Sequence, residues 1–191
     1  MMNKMEKAIL FATKAHAGSF RKGKTKPYIL HPLEAMMIVA DLTDDEELLA
    51  AAVLHDTVED TNTTAAEIER EFGESVASLV VSESENKRED RSAEETWKTR
   101  KQETIDHLKL ASRDVKLVCL GDKLSNMREI YRDYTKLGDD LWQRFNQKDK
   151  REHGWYYSEI YRILRAEFGD VPIIREYAEL LEKVFGQKGE A

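Results

Sequence analysis

Apolar side chains along the chain recur at intervals of three and four, the spacing of one helix face, and strand-like alternation does not occur. Met5, Ile9 and Ala12 mark a first helix, which Gly18 would close, because glycine readily takes the left-handed conformation that stops a helix. Pro32 suits the first turn of a second helix through "LEAMMIVA", where its missing N–H has no helical partner to lose. Thr43 with Glu46 makes a capping-box pattern before "ELLAAAVLH", and Thr64 with Glu67 and Ser92 with Glu95 repeat it. Ser112 can cap a helix through "VKLVCLGDKLSNMREIY". A later helix covers "WYYSEIYRILRAEF" and stops at Gly169. The last begins near Pro172, carries Ile173, Ile174, Tyr177, Leu180, Leu181 and Val184, and ends before Gly186. The pattern predicts an all-α fold of about nine or ten helices with short joints.

The length of 191 residues fits a single domain over residues 1–191 with a real core. The most polar stretch, "SESENKREDRSAEE" from Ser82 to Glu95, reads as a solvent-facing loop within it. A formal net charge of -7 argues against a general nucleic-acid or membrane-surface binder. No apolar run reaches the length of a membrane span and no N-terminal signal pattern is present, so a soluble cytoplasmic protein is expected. The single cysteine, Cys119, excludes an internal disulfide and a Cys-rich zinc module.

One stretch does not fit a plain helical bundle. In "AAAVLHDTVEDT" an apolar helix runs into His55 and Asp56, with Glu59 and Asp60 close behind. Such groups are either solvated at a helix end or gathered around a cation, because burying them unpaired is costly. "YILHP" places His31 at a helix start, and "CLGDKLSN" places Asp122 inside a helix with apolar neighbours. Singly, each has a plainer reading as a cap or a surface group. Together, two imidazoles and two carboxylates form a nitrogen–oxygen set suited to manganese, iron, cobalt or zinc. His55 and Glu59 stand four apart, as do Asp56 and Asp60, so a continuing helix keeps each pair on one side. A carboxylate there can hold a water beside a metal or take its proton; the alternative is a solvated acidic helix end.

The segment "SFRKGKTKPY" concentrates Arg21, Lys22, Lys24 and Lys26 just before His31, with Gly23 permitting a turn. It reads as a solvated basic loop or, beside a metal, as a phosphate clamp whose arginine can stack on a base. Asn126 shares the helix face of Asp122 and could hydrogen-bond a sugar or base. "WKTRK" adds Lys98, Arg100 and Lys101, of which Lys101 is carried as a further substrate contact. Cys119 reads as a small core residue, His16 as a packing or capping group, and His107 and His153 as surface residues. Trp155, Tyr156 and Tyr157 read mostly as core.

His31, the His55-Asp56 pair and Asp122 resemble the H…HD…D signature of the HD metal-dependent phosphohydrolases. "HAGSFRKGKTKPYILHP", "HDTVEDT" and "LGDKLSNMREI" are similar, in order, to three motifs of the hydrolase domain of the Rel/Spo alarmone family, over roughly Lys4 to Tyr134. The resemblance implies an HD-domain helical bundle acting as a stand-alone small alarmone hydrolase of the stringent response. Its reaction would remove the 3′-pyrophosphate of guanosine tetra- or pentaphosphate, giving GDP or GTP and pyrophosphate. It implies one manganese ion on His31, His55, Asp56 and Asp122, and a water positioned and activated by Glu59 and Asp60. Arg21, Lys22 and Asn126 would contact the nucleotide, Arg21 by stacking on guanine. The basic loop is one residue longer than the usual bacterial form, and Lys123 and Ser125 replace the common Arg and His of the third motif. These departures leave the metal and water positions untouched and bear on base and phosphate preference, so another phosphorylated nucleotide such as NADPH stands as an alternative substrate. A non-catalytic nucleotide-sensing module is an alternative of another class, which would predict a broken metal set or a lost Glu59–Asp60 pair, and both are intact. The oligomeric state is not legible in the sequence.

Overall fold

Ten α-helices and one 3₁₀ turn make up the regular structure of the computed structural model, which describes residues 2–85, 88 and 90–186. The all-α expectation holds: among the described residues the only extended pairing is an isolated antiparallel bridge between Phe20 and Pro27. The helices are α1 (Lys4–Ala15), α2 (Leu30–Ala40), α3 (Glu46–Leu54), α4 (Thr57–Asp60), α5 (Ala65–Phe72), α6 (Glu74–Glu83), α7 (Ala93–Leu110), α8 (Arg113–Leu137), α9 (Lys150–Phe168) and α10 (Pro172–Phe185). The 3₁₀ turn is Gly138–Arg144. None of these helices is long and apolar enough to cross a membrane. The chain groups into two compact units, Met1–Ser84 with Arg113–Ser125, and Glu85–Ser112 with Asn126–Ala191.

The first unit is built around α3. Every residue from Leu48 to Leu54 is buried, as befits a helix that is apolar all round. Helices α1, α2 and α6 pack against it, and α5 packs on α6. Several ends are set by local chemistry. Asn3 and Glu6 form a reciprocal capping box on α1, and Thr64 and Glu67 form the expected one on α5. The box expected at Thr43 and Glu46 is not formed. Asp45 caps α3 by accepting from the Glu47 N–H, and the Thr43 hydroxyl accepts from the Asp45 N–H instead. A carboxylate one residue from the helix thus outcompetes a hydroxyl three away.

The first part of α8 comes very close to α2. A Cβ built on Gly121 would lie 2.7 Å from the Ala35 carbonyl oxygen and 2.9 Å from Val39 Cγ2. Only glycine permits that approach, and the next residue is Asp122.

The second unit has an aromatic core. Trp97, Trp142, Tyr156, Tyr161 and Tyr177 are buried there, and α9 packs on both α7 and α10. Helix α9 starts five residues before the stretch read from the sequence, capped by Asp149, and takes in His153 and Gly154 as buried residues. His153, expected at the surface, is 5% exposed; its Nε2–H donates to the Gln147 carbonyl at 2.8 Å and its ring centroid lies 4.9 Å from that of Trp142. Glu85, in the segment expected to face solvent, turns inward to pair with Arg100 and Lys101 at 2.7 and 2.6 Å. Asn86, Lys87 and Glu89 of that segment lie outside the described residues.

Candidate metal centre

His31 sits in the first turn of α2, His55 and Asp56 in the break between α3 and α4, and Asp122 in α8 beyond Gly121. These turns bring the four side chains together in the first unit. His31 Nε2 and His55 Nε2 are 3.3 Å apart. Asp56 Oδ2 lies 3.4 Å from His31 Nε2 and 3.0 Å from His55 Nε2. Asp122 Oδ1 lies 3.1 and 3.6 Å from the same two nitrogens. The two histidines and Asp122 are buried, and the Asp56 side chain is 17% exposed.

The arrangement fits a divalent cation on two counts. Donor atoms held about 2.1 Å from a common ion stand about 3.0–3.5 Å apart, close to the 3.0–3.6 Å that separate the two Nε2 atoms from each other and from the carboxylates. Both imidazoles also have their far nitrogen engaged: His55 Nδ1 donates to the Ala52 carbonyl at 2.7 Å, and His31 Nδ1 meets Ser125 Oγ at 2.9 Å. The two Nε2 atoms are left to face the carboxylates.

Electrostatics point the same way. Burial works against charge on all of these groups. For Asp56 the two imidazoles more than offset it, and for Asp122 the Lys123 ammonium does so together with the imidazoles, so both carboxyls stay well below the usual carboxylate range. Burial likewise opposes charge on His55, but Asp56 and Asp122 together hold its imidazole well above its ordinary value. The cluster is therefore a buried pair of carboxylates that requires positive charge. Lys123, one of the departures noted in the sequence, supplies some of it through an ion pair with Asp122. Glu83 of α6 is pushed up to about 7, by burial first and by Asp122 after it, against the pull of Lys123.

Glu59 and Asp60 lie in α4, Glu59 half-buried and Asp60 exposed. The helical spacing expected of Asp56 and Asp60 is present, with the Asp60 N–H donating to the Asp56 carbonyl at 2.9 Å. A residue not anticipated joins their side chains. The Tyr28 hydroxyl lies 2.7 Å from Asp56 Oδ2 and 2.8 Å from Asp60 Oδ2, and its one proton serves either carboxylate. The ring of buried His16 stacks on Tyr28 with centroids 4.8 Å apart, so His16 packs against it. The signal was the position of Tyr28 three residues before His31, one turn from a candidate ligand.

The basic loop is closed by its own backbone: Arg21 N–H donates to the Lys26 carbonyl and Tyr28 N–H to the Ser19 carbonyl, both at 2.9 Å. Gly23 turns it with a φ of 69°. Phe20, Arg21, Lys22, Gly23, Lys24 and Thr25 line an open cavity. The Arg21 guanidinium lies over the Tyr28 ring, 5.3 Å from its centroid. The loop and the cluster thus meet at Tyr28. Lys101 and Asn126 belong to the second unit, where Lys101 is ion-paired with Glu85 and rests over the Tyr156 ring.

A family model described as "HD domain" matches residues 8–149. The chain belongs to the HD-domain family. Among curated relatives, the guanosine-3′,5′-bis(diphosphate) 3′-pyrophosphohydrolase MESH1 of Xenopus tropicalis is 41% identical over 125 residues, covering 64% of this chain and 66% of the relative. The GTP pyrophosphokinase rsh of Brucella ovis is 39% identical over 129 residues, 66% of this chain but 17% of that much longer protein. The chain therefore spans only a part of these relatives. Among solved structures, a metazoan ortholog of SpoT that hydrolyzes ppGpp superposes with a TM-score of 0.76 over 96% of both chains; at 24% identity the likeness is one of fold. The lmo0812 protein of Listeria monocytogenes is 32% identical, with a TM-score of 0.69 over 84% of this chain and 97% of that one.

Proposed function

We propose that the protein hydrolyses the 3′-pyrophosphate of guanosine tetra- and pentaphosphate, with one divalent cation, manganese, held by His31, His55, Asp56 and Asp122. The observation that carries the reading is the convergence of two imidazole Nε2 atoms and two ionised carboxylates within 3.6 Å, each imidazole anchored from behind. The names of the MESH1 relatives support the substrate class. The mixed nitrogen–oxygen set of intermediate hardness favours manganese over an ion that seeks only oxygen. We take residues 1–191 to act as one hydrolase domain. Asn126 enters as a nucleotide contact through its place four residues after Asp122 and the sequence resemblance, and Lys101 only through its place in the basic stretch "WKTRK".

When bound, such a cation polarises a phosphoryl oxygen and brings the pKa of a water toward neutrality. Glu59 and Asp60 hold the attacking water in line with the ribose-proximal phosphorus and take its proton. Tyr28 keeps Asp60 in register with Asp56. Arg21 and Lys22 neutralise the phosphoryl oxygens as charge develops on them. The bond broken joins the ribose 3′ oxygen to the proximal phosphorus. The water oxygen stays on the pyrophosphate, and the electron pair stays on the 3′ oxygen, which takes up a proton.

The test is incubation of the full chain, with manganese and after chelation, with guanosine tetraphosphate and with NADPH, followed by chromatography. Metal-dependent appearance of GDP and pyrophosphate is the expected result. Phosphate release from NADPH alone would keep the site chemistry and replace the substrate. No turnover of either with metal bound would overturn the reading in favour of a sensing module. In Glu59→Gln, metal content is expected to be unchanged and turnover to fall by about 10²–10⁴-fold; a full rate would remove Glu59 from the assigned role.

A further inference from the structure

Behind one of the two imidazoles stands a hydroxyl, and behind the hydroxyl a carboxylate. His31 Nδ1 lies 2.9 Å from Ser125 Oγ, and the Ser125 hydroxyl donates to Glu34 Oε2 at 2.8 Å. The single hydroxyl proton of Ser125 is thus given to Glu34, which leaves the Ser125 oxygen as an acceptor. The group facing it must then be a donor, so His31 carries a proton on Nδ1. Its Nε2 is the nitrogen left for a cation.

The companion imidazole reaches the same state by another route. His55 Nδ1 donates to a backbone carbonyl, that of Ala52, which α3 supplies whatever the side chains are. His31 has no such backbone partner on Nδ1. Its proton is fixed by two side chains, Glu34 one turn further along α2 and Ser125 one turn beyond Asp122 on α8. Ser125 is within reach only because Gly121 lets α8 approach α2. Ser125 is 1% exposed and His31 is 3% exposed, so water competes poorly for either bond.

We propose that Glu34 and Ser125 are a positioning pair for the metal centre, a carboxylate–hydroxyl–imidazole relay that fixes the His31 tautomer and sets the affinity of the site for a divalent cation. The proposal rests on the metal-centre reading. It predicts that the two residues act as one unit, because Ser125 joins Glu34 to His31.

The experiment is Co²⁺ binding to the full chain, followed by equilibrium dialysis and by the visible absorption of the bound ion. It compares the natural protein with Ser125→Ala, Glu34→Ala, the double variant and Ser125→Thr. Ser125→Ala is expected to weaken binding by about 10- to 100-fold, and to shift the cobalt absorption bands. Glu34→Ala acts in the same direction by less, and the double variant binds no more weakly than Ser125→Ala alone. Ser125→Thr, which keeps the hydroxyl, recovers most of the loss. Affinities in both single variants within about twofold of the natural protein, or losses that add, would overturn the relay. Should Ser125→Ala fail to fold, Glu34→Ala at its half-buried position decides the question alone. Absence of Co²⁺ binding by the natural protein would overturn the metal centre itself, an outcome separate from intact binding with indifferent variants.

Discussion

His55 and His153 are the same side chain at nearly the same depth, 1% and 5% exposed, and they do opposite things. Each is anchored by a backbone carbonyl, Ala52 for the Nδ1 of His55 and Gln147 for the Nε2 of His153. The difference lies in what surrounds the rest of the ring. His55 Nε2 faces Asp56 at 3.0 Å and another imidazole at 3.3 Å. The ring of His153 is packed among Trp97, Trp142 and Phe145, with centroids 4.9–5.3 Å away. Burial, with the Lys101 charge adding to it, lowers the His153 pKa against the pull of the Gln147 carbonyl, whereas around His55 the carboxylates reverse the effect of burial. A buried histidine is thus no sign of a metal site. A buried histidine whose free nitrogen meets a carboxylate is one.

The comparison breaks most severely at Asp122. In Asp122→Ala the bound metal is expected to fall to background by elemental analysis. The metal-free protein at pH 6 should lose about 3–5 kcal/mol in denaturant unfolding, because Lys123 and the two imidazoles lose a buried carboxylate. Metal retention would show that Asp122 is not a ligand.

Gly121→Ala attacks the same cluster through packing. Alanine is the better helix former by about 1 kcal/mol, which by itself would stabilise α8. The added Cβ, however, would sit 2.7 Å from a backbone oxygen of α2 that has no rotamer to change. We expect a net loss of about 1–3 kcal/mol and weaker metal binding. A variant as stable as the natural protein would mean that α2 and α8 can separate without harm.

Glu83 sharpens the electrostatic side. Its carboxyl is pushed up to about 7 in the folded protein, from an ordinary value of 4.5. A carboxyl with a raised folded pKa stabilises fully below the unfolded value and loses that contribution as pH rises through the folded one. Glu83→Gln should therefore be close to neutral at pH 4 and stabilise the protein by about 1–3 kcal/mol at pH 8. Equal effects at the two pH values would show that burial does not hold the proton on Glu83.

What the sequence disclosed of this site follows the range of the interactions. The four candidate ligands could be proposed because two imidazoles and two carboxylates recur in an ordered pattern, although each alone reads as a cap or a surface group. The Thr64–Glu67 box could be read because both partners lie within four residues. Thr43 failed because Asp45, two positions on, offered a nearer cap. His153 failed because its neighbours Lys150, Arg151 and Glu152 are charged, and one buried face of α9 is diluted in such a window. Lys101, expected as a substrate contact, pairs with a carboxylate sixteen residues away, Glu85, which no local pattern reveals. Tyr28, Glu34 and Ser125 act on residues reached only through the packing of α2, α8 and the turn after α3. Of these, Ser125 had drawn attention only as a departure from a familiar motif.

The mildest change tests the other side of the comparison. His153→Phe keeps the ring among its aromatic neighbours and gives up one hydrogen bond, so stability at neutral pH should fall by about 1 kcal/mol as the Gln147 carbonyl loses its donor. Metal affinity should be unchanged. The pH dependence carries the sharper sign. A histidine with a lowered folded pKa contributes stability above its unfolded value, near 6.5, and loses it as pH falls. His55, with a raised pKa, contributes in the metal-free protein below about 6.5 and loses it as pH rises through its folded value. Unfolding of metal-free His153→Phe from pH 8 to 5 should therefore decline less on the acid side than that of the natural protein. An unchanged acid slope would mean that His153 is protonated where it lies, and that the aromatic surroundings do not distinguish it from His55.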